Sequence, residues 1–282
     1  MKFLIIGDLH GSMPNIYFRG YDAIIAPGDF CSDESRKYMM EGMRKGKHWV
    51  DLVGKRKAKI IIKKSLEDGR KVLEKLNALT VPVYVVPGNW DWTPNKNQKW
   101  DYLKKDHFKT LTKGLKNITN CNNKVVDAKD CRIIGYGVTS SPEFPQYKDE
   151  LEKYTEKELL KKQKEMDKSM ERLTKLFRKA KKPVLFLSHN VPFRTPIDKI
   201  TWKESPKFGY HYGSVVVRRI IEKHKPLVSI GGHMHEHHRK CYVGKQIAIN
   251  AGYGPFVNAW LEIQKKKIEN LKFYKGKPKP PK

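Results

Sequence analysis

MKFLIIGDLHG, residues 1–11, sets out in one stretch the pattern on which the rest of the chain is built. The apolar run Phe3–Ile6 is short and closed by Gly7, which reads as a buried strand ending in a turn. Beyond it Asp8 and His10 stand two residues apart, a spacing that lets a turning loop aim both side chains at one point. Gly7 and Gly11 let the backbone bend sharply on either side. The same grammar recurs. Ala23–Ala26 runs into PGDF (27–30), Val83–Val86 into GNWD (88–91), Val184–Leu187 into SHN (188–190) and Leu227–Ile230 into GGHMH (231–235). Ile133–Ile134 and Gln246–Ile249 are further strand-like runs without such an ending.

Segments of helical composition separate these runs. Gly42–Leu79 is rich in Lys and Arg with apolar residues at helical spacing, and Gly54 and Gly69 are the expected interruptions. Lys148–Lys182 reads as a long helix stopped by Pro183, with Leu151, Leu159, Leu160, Met166, Met170, Leu173, Leu176 and Phe177 as its apolar face. Val215–His224 reads as a short amphipathic helix ending before Pro226. Strands alternating with helices predict an α/β fold. No fixed-period repeat is visible, and KGKPKPPK (275–282) reads as a disordered basic tail.

In α/β sheets, functional groups gather in the loops beyond the carboxyl ends of the strands. A lone Asp after a strand is usually a cap or turn residue, and a lone His is usually just hydrogen-bonded. Successive strand ends carrying Asp, Asn or His argue instead for one crevice. Those side chains suit Mn, Fe, Zn or Ni.

In order and wording, GDLHG, PGDF, GNWD, SHN and GGHMH resemble the calcineurin-like metallophosphoesterase superfamily. The resemblance covers most of residues 1–260. HNVPFRTPIDKI, GYHYGSVVVRRIIEKHKPLVSIGGHMHEH and INAGYG are similar to its compact single-domain prokaryotic branch. It implies an α/β four-layer sandwich of two mixed β-sheets flanked by helices, here with basic helical insertions at about 42–79 and 148–182. The domain would span 1–272 and the basic Pro/Lys tail 273–282. Matched position by position, Asp8, His10 and His235 would hold one divalent metal ion, Asn89, His189 and His233 a second, and Asp29 would bridge both. Manganese is the first expectation for the pair, with iron, zinc or nickel as alternatives. Two such ions bring four positive charges against the two carboxylates of Asp8 and Asp29, a surplus that suits a bridging hydroxide and a phosphate. The implied reaction is phosphoester hydrolysis by that hydroxide, on a phosphorylated small molecule or nucleotide.

One departure bears on the substrate. The superfamily's third motif carries a His after its Asn, generally assigned to protonate the leaving oxygen; Trp90 stands there. General-acid help is worth typically 10²–10⁴-fold, so the expectation moves from monoesters towards phosphodiesters. Asp91, which would orient the missing His, becomes either a catalytic partner or a structural hydrogen bonder. His211, within GYHYGS (209–214), is the candidate to contact the phosphate or replace the acid. Trp90 and Trp92 either stack a base or pack the crevice rim. His237 and His238 are expected to be solvated, and His48 and His107 carry no assigned role.

The charge is the odd feature. Lys+Arg 58 against Asp+Glu 30 gives +28 and a pI near 9.8, with 12 Lys/Arg against 4 Asp/Glu between Arg44 and Lys75. Such a field attracts polyanions, so a nuclease acting on RNA or DNA is the alternative reading. A non-catalytic scaffold is a weaker one, since all the ligand positions are filled. Cys31, Cys121, Cys131 and Cys241 form no CxxC pair and read as reduced thiols. No apolar run is long enough for a signal core or a membrane span, so the expected location is cytoplasmic.

Overall fold

The computed structural model describes residues 1–94, 98–181 and 183–276. Its strands are β1 (Lys2–Ile5), β2 (Ala23–Ala26), β3 (Val83–Val85), β4 (Ile118–Asn120), β5 (Val125–Ala128), β6 (Cys131–Tyr136), β7 (Val184–Asn190), β8 (Val228–Gly232), β9 (Arg239–Val243), β10 (Gln246–Asn250), β11 (Val257–Gln264) and β12 (Lys267–Lys275). The helices are α1 (Arg36–Arg44), α2 (Trp49–Val53), α3 (Lys55–Asn77), α4 (His107–Thr112), α5 (Lys148–Leu151), α6 (Glu156–Lys179) and α7 (Val215–His224). One six-stranded sheet has the order β12-β11-β1-β2-β3-β4 and the other β5-β6-β7-β8-β10-β9. Each has a parallel centre with antiparallel strands at its margin, so both are mixed.

Side-chain alternation turns these sheets into four layers. Phe3 and Ile5 of β1 point into a core shared with Leu185 and Leu187 of β7 and Val228 and Ile230 of β8. Leu4 and Ile6 point the other way, against Val72, Leu73 and Leu76 of α3 and Phe108 and Leu111 of α4. On the second sheet Val184 and Phe186 face Met166, Leu173 and Phe177 of α6 and Val216 and Ile220 of α7. The order is helices, sheet, sheet, helices, and the central strands are apolar on both faces because both faces are covered.

The helical expectations hold in part. Gly54, at φ 76°, separates α2 from α3. Gly69 does not interrupt α3: it is buried where a Cβ would come within 2.6 Å of Cys31 Sγ, so it is there for close packing. The 148–182 segment is two helices. Thr155 caps α6 in a capping box with Glu158, and α6 ends at Lys179, short of Pro183. Leu151 and Leu160, expected on the apolar face, are exposed and do not belong to it.

The expected domain end at 272 falls inside β12, whose Phe273 joins the inter-sheet core. Positions 277–282 of the expected tail lie outside the described residues. All four cysteines are buried, and none forms a disulfide among the described residues. Among the described residues no helix is long and apolar enough to cross a membrane.

Candidate metal centre

The loops after β1, β2, β3, β7 and β8 converge because their backbones are tied together. Leu9 and His10 donate their N–H groups to the Asp29 carbonyl at 3.1 and 2.9 Å, and Gly11 donates to Phe30 O at 2.8 Å. Gly88 lies so close to Asp29 that a Cβ would sit 2.0 Å from Oδ1. Gly232 stands in the same relation to Asp8, with a Cβ 2.6 Å from its Oδ1. His10, Asp29 and His233 hold φ of 45°, 57° and 67°, a region that L-residues seldom occupy and that is most often retained where function requires it.

The side chains meet in two groups that share Asp29: His10, Asp29 and His235, and Asp29, His189 and His233. Asp29 Oδ2 lies 3.4 Å from His10 Nε2 and 3.5 Å from His189 Nε2. His10 Nε2 is 3.2 Å from His235 Nε2, and Asn89 Oδ1 is 2.8 Å from His189 Nε2. Asp8 flanks both groups, with Oδ2 at 4.0 Å from His235 Nε2 and Oδ1 at 3.9 Å from His189 Nδ1. All seven expected ligand positions therefore lie within one cluster.

Contacts around the cluster set its tautomers. His189 Nδ1 is 2.8 Å from Pro27 O and His233 Nε2 is 3.0 Å from Ser140 O. A ring N–H donated to each carbonyl leaves the opposite nitrogen with its lone pair, the arrangement typical of ligating imidazoles. Asp8 Oδ2 accepts from His233 N at 2.6 Å and Asp29 Oδ1 from Trp90 N at 2.8 Å, so each carboxylate is turned by one oxygen. The other oxygens, Asp8 Oδ1 and Asp29 Oδ2, are buried without a hydrogen-bond partner among the described residues.

Electrostatics agree with that geometry. Burial, then the neighbouring Asp29 charge, holds the Asp8 carboxyl well above the usual range, and burial pushes Asp29 up to about 7. Burial lowers His10 and His189 to about 4, His235 to about 3 and His233 well below the ordinary value. Neutral imidazoles beside crowded, partnerless carboxylate oxygens make a set that fits divalent cations.

Asp91 is fully buried and does not point at this cluster. Its carboxylate accepts the N–H groups of Asp29, Phe30, Cys31 and Gly88 at 2.7–3.0 Å, so it fastens the second motif loop to the third and is a positioning residue. Trp90 is half-buried with its ring 6.2 Å from that of His10. Trp92 packs against Trp49 and donates to Ser65 Oγ at 3.0 Å, which makes it part of the rim and not a platform.

His211 is held by Asp198, Nδ1 to Oδ1 2.7 Å, and lines a cavity of about 410 Å³ with Arg194, Lys199, His237 and Arg239. None of the interactions described for it involves the seven cluster residues. His237 and His238 are not solvated as expected. His237 is buried with Nε2 2.7 Å from Lys199 O, and His238 is half-buried with its ring edge-on to Phe273 of β12. His48 caps α2. Sequence reasoning missed Tyr253, whose ring stacks on His235 at 4.1 Å; INAGYG marked its loop but not its role.

A family model described as calcineurin-like phosphoesterase matches residues 1–237. No curated protein matches the chain. Among solved structures, one crystal structure is 16% identical with a TM-score of 0.62, covering 98% of this chain and 99% of that one. A Thermus thermophilus protein is 15% identical with a TM-score of 0.52 over 97% of this chain and 98% of its own. The phosphopantetheinyl hydrolase of Mycobacterium tuberculosis is 13% identical with a TM-score of 0.51 over 90% of each chain. At these identities the likeness is one of fold.

Proposed function

This chain belongs to the calcineurin-like phosphoesterase family, whose chemistry is metal-dependent phosphoester hydrolysis, and from that premise we propose that it is a two-metal phosphodiesterase. Asp8, His10 and His235 would hold one ion, Asn89, His189 and His233 the other, and Asp29 would be shared, with manganese the first candidate. The observation that carries this reading is Asp29 Oδ2, buried, partnerless and 3.4–3.5 Å from an imidazole nitrogen of each group. When bound, divalent ions supply positive charge for phosphoryl oxygens and acidify water.

The chain's own residues prepare that chemistry. The carbonyls of Pro27 and Ser140 orient the rings of His189 and His233, so the ligand set is assembled before metal arrives. Neutral imidazoles cost no proton on binding. The half-exposed Trp90 and Tyr253 flank the His10 and His235 side of the cluster and offer surfaces to the organic part of a substrate. An indole N–H cannot give up a proton as an imidazolium can, so Trp90 leaves the leaving oxygen without an acid from that position. His211 is our candidate acid: Asp198 fixes its Nδ1, which leaves Nε2 to carry the transferable proton.

Manganese-loaded protein should contain two ions per chain by elemental analysis and hydrolyse bis-p-nitrophenyl phosphate faster than p-nitrophenyl phosphate. Absence of both metal and hydrolysis would sink the centre. Faster turnover of the monoester would sink the diester preference alone.

A further inference from the structure

The cavity that His211 lines, about 410 Å³ in volume, has walls of one sign. Arg194, Lys199, Arg239, His211 and His237 line it, and no carboxylate does. Elsewhere the signs are mixed. The cavity under α6 sets Lys162 and Arg172 among Asp106, Glu143 and Glu165, and the groove between α3 and α4 sets Arg70 and Lys71 among Glu67 and Glu74. Nearby bases are answered by acids, as Arg218 is by Glu222 and Lys207 by Asp149. Among the described residues the side chains of Arg194, Lys199 and Arg239 form no ion pair.

The wall is built, not merely basic. Asp198 is fully buried behind it and accepts the N–H groups of Arg194, Thr195 and Gly213 while holding His211 Nδ1 at 2.7 Å, so its charge is spent there. Arg194 has φ 55°, a left-handed backbone that L-residues seldom adopt, and Arg218 Nη1 donates to its carbonyl at 2.8 Å. Arg239 Nη2 donates to Pro196 O at 2.6 Å, and the buried His237 sets Nε2 2.7 Å from Lys199 O. The 194–199 loop is thereby fastened from three directions. Strained backbone of this kind clusters where a ligand is clamped.

Both ligand-bearing ends of the second sheet lead to this wall. His237 follows His235 by two residues, which puts their Cα atoms at most about 7 Å apart. Asn190, next to His189, donates its Nδ2 to the carbonyl of Tyr212, next to His211, at 3.1 Å. Bases gathered on one wall repel one another, a cost that a bound anion removes.

We propose that this cavity binds a second phosphate group of the substrate, carried on the leaving group, and that the substrate is a small molecule bearing two phosphates. The inference rests on the metal-centre reading above for the first of them. A phosphate offers several charged oxygens in different directions, enough for Arg194, Lys199 and Arg239 together, and guanidinium forks match its geometry. An uncharged leaving group would leave all three bases unanswered. A nucleic-acid strand is served by a basic groove that tracks its backbone with aromatic side chains for its bases, and this wall is a single concavity without an aromatic residue other than its histidines.

Inhibition of bis-p-nitrophenyl phosphate hydrolysis by the manganese-loaded protein tests this, with straight-chain alkanediol bisphosphates of increasing length set against the matching alkyl monophosphates. At the best length the bisphosphate should inhibit about tenfold more tightly than the monophosphate. In Arg194→Gln/Lys199→Gln that ratio should fall to about one. Neither side chain has a hydrogen-bond or ion-pair partner among the described residues, so the fold is spared. Lys265→Gln/Lys266→Gln removes the same charge from the β11–β12 turn and should leave the ratio as it was. Metal-free protein should bind inorganic pyrophosphate in isothermal titration, and only the first pair of substitutions should weaken it, about tenfold. Equal inhibition by bisphosphates and monophosphates at every length, or equal weakening by both pairs, overturns the cavity proposal and leaves the metal centre standing. Competition by oligothymidylate tighter than by any bisphosphate, and lost in the first pair, overturns the small-molecule assignment. Absence of metal and hydrolysis overturns the centre, and the pyrophosphate titration still decides the cavity.

Discussion

The outer faces of the helices and the crevice between the sheets treat carboxylates in opposite ways. On α3 two acids are met by a base one turn away: Lys64 faces Asp68 and Arg70 faces Glu74, as Arg218 faces Glu222 on α7. These pairs are solvated and contribute little. In the crevice Asp8, Asp29 and Asp91 are fully buried, and among the described residues no Lys or Arg forms an ion pair with any of them. A chain with 58 basic side chains had ample means to neutralise them. Asp91 is answered by backbone N–H groups; Asp8 and Asp29 each keep an oxygen that nothing answers. On the helices acids and bases answer one another in water; in the crevice the carboxylates of Asp8 and Asp29 are left for a cation of the kind this family binds.

The strongest way to break this contrast is Asp29→Asn. It keeps the size of the side chain and removes the charge shared by both groups. Metal content by elemental analysis should fall towards zero and hydrolysis by roughly 10³-fold or more, beyond the 10–100-fold typical of residues behind the ligands. A variant that keeps both ions would refute the shared role. His211→Asn sharpens the contrast from the other side. Asp198 is also a buried carboxylate, but Arg194, Thr195 and Gly213 N–H groups satisfy it along with His211, so that pair needs no cation. Metal content should stay intact while turnover of a diester with a poor leaving group drops about 10²-fold, within the range of general-acid effects. Unchanged turnover removes His211 from the reaction.

The same contrast explains what could be read in the sequence. β1, β2, β3, β7, β8 and β10 are covered on both faces, so they appear as unbroken apolar runs, and the endings of all but β10 carried the expected ligand positions in order. β12 (KIENLKFYK) is an edge strand with one wet face, and its lysines disguised it as the start of a tail. In β11 the buried Asn258 breaks the apolar run; its side chain is consumed by Tyr17 N and Val257 O. The seven expected ligand positions were legible because Asp, Asn and His at strand ends have a recognisable spacing. The groups that orient them were not, since Pro27 and Ser140 act through carbonyls that every residue possesses. Asp91 was visible, but only the fold shows that four N–H groups use it up.

Asp91→Ala asks how much of the crevice is held by that single acceptor. It strands four N–H groups in a buried loop, and unsatisfied buried donors each cost about 1–3 kcal/mol before relaxation. With partial collapse and water entry we expect a loss of roughly 3 kcal/mol, read from denaturant unfolding of the metal-free protein. Loss of activity at unchanged stability would instead make Asp91 a reacting group.

The smallest effect is a matter of protons. Asp29 titrates near 7 in the folded chain, raised from 3.8 by burial, so without metal the folded state binds more protons than the unfolded one between those values. This group's contribution to stability is therefore lost as pH rises towards 7. His10, His189 and His235 act with the opposite sign, being lowered to about 3–4, and favour the folded state as pH rises from 4 to 6.5. Metal needs Asp29 ionised and finds the imidazoles already neutral. Manganese affinity should accordingly rise about tenfold per pH unit for each proton released between pH 5 and 7, then level off. Titrations in two buffers of different ionisation enthalpy should detect proton release at pH 6 and almost none at pH 8. Equal affinity at both pH values would mean that Asp29 is already ionised in the metal-free crevice, and that the unanswered oxygen is answered by something other than a proton.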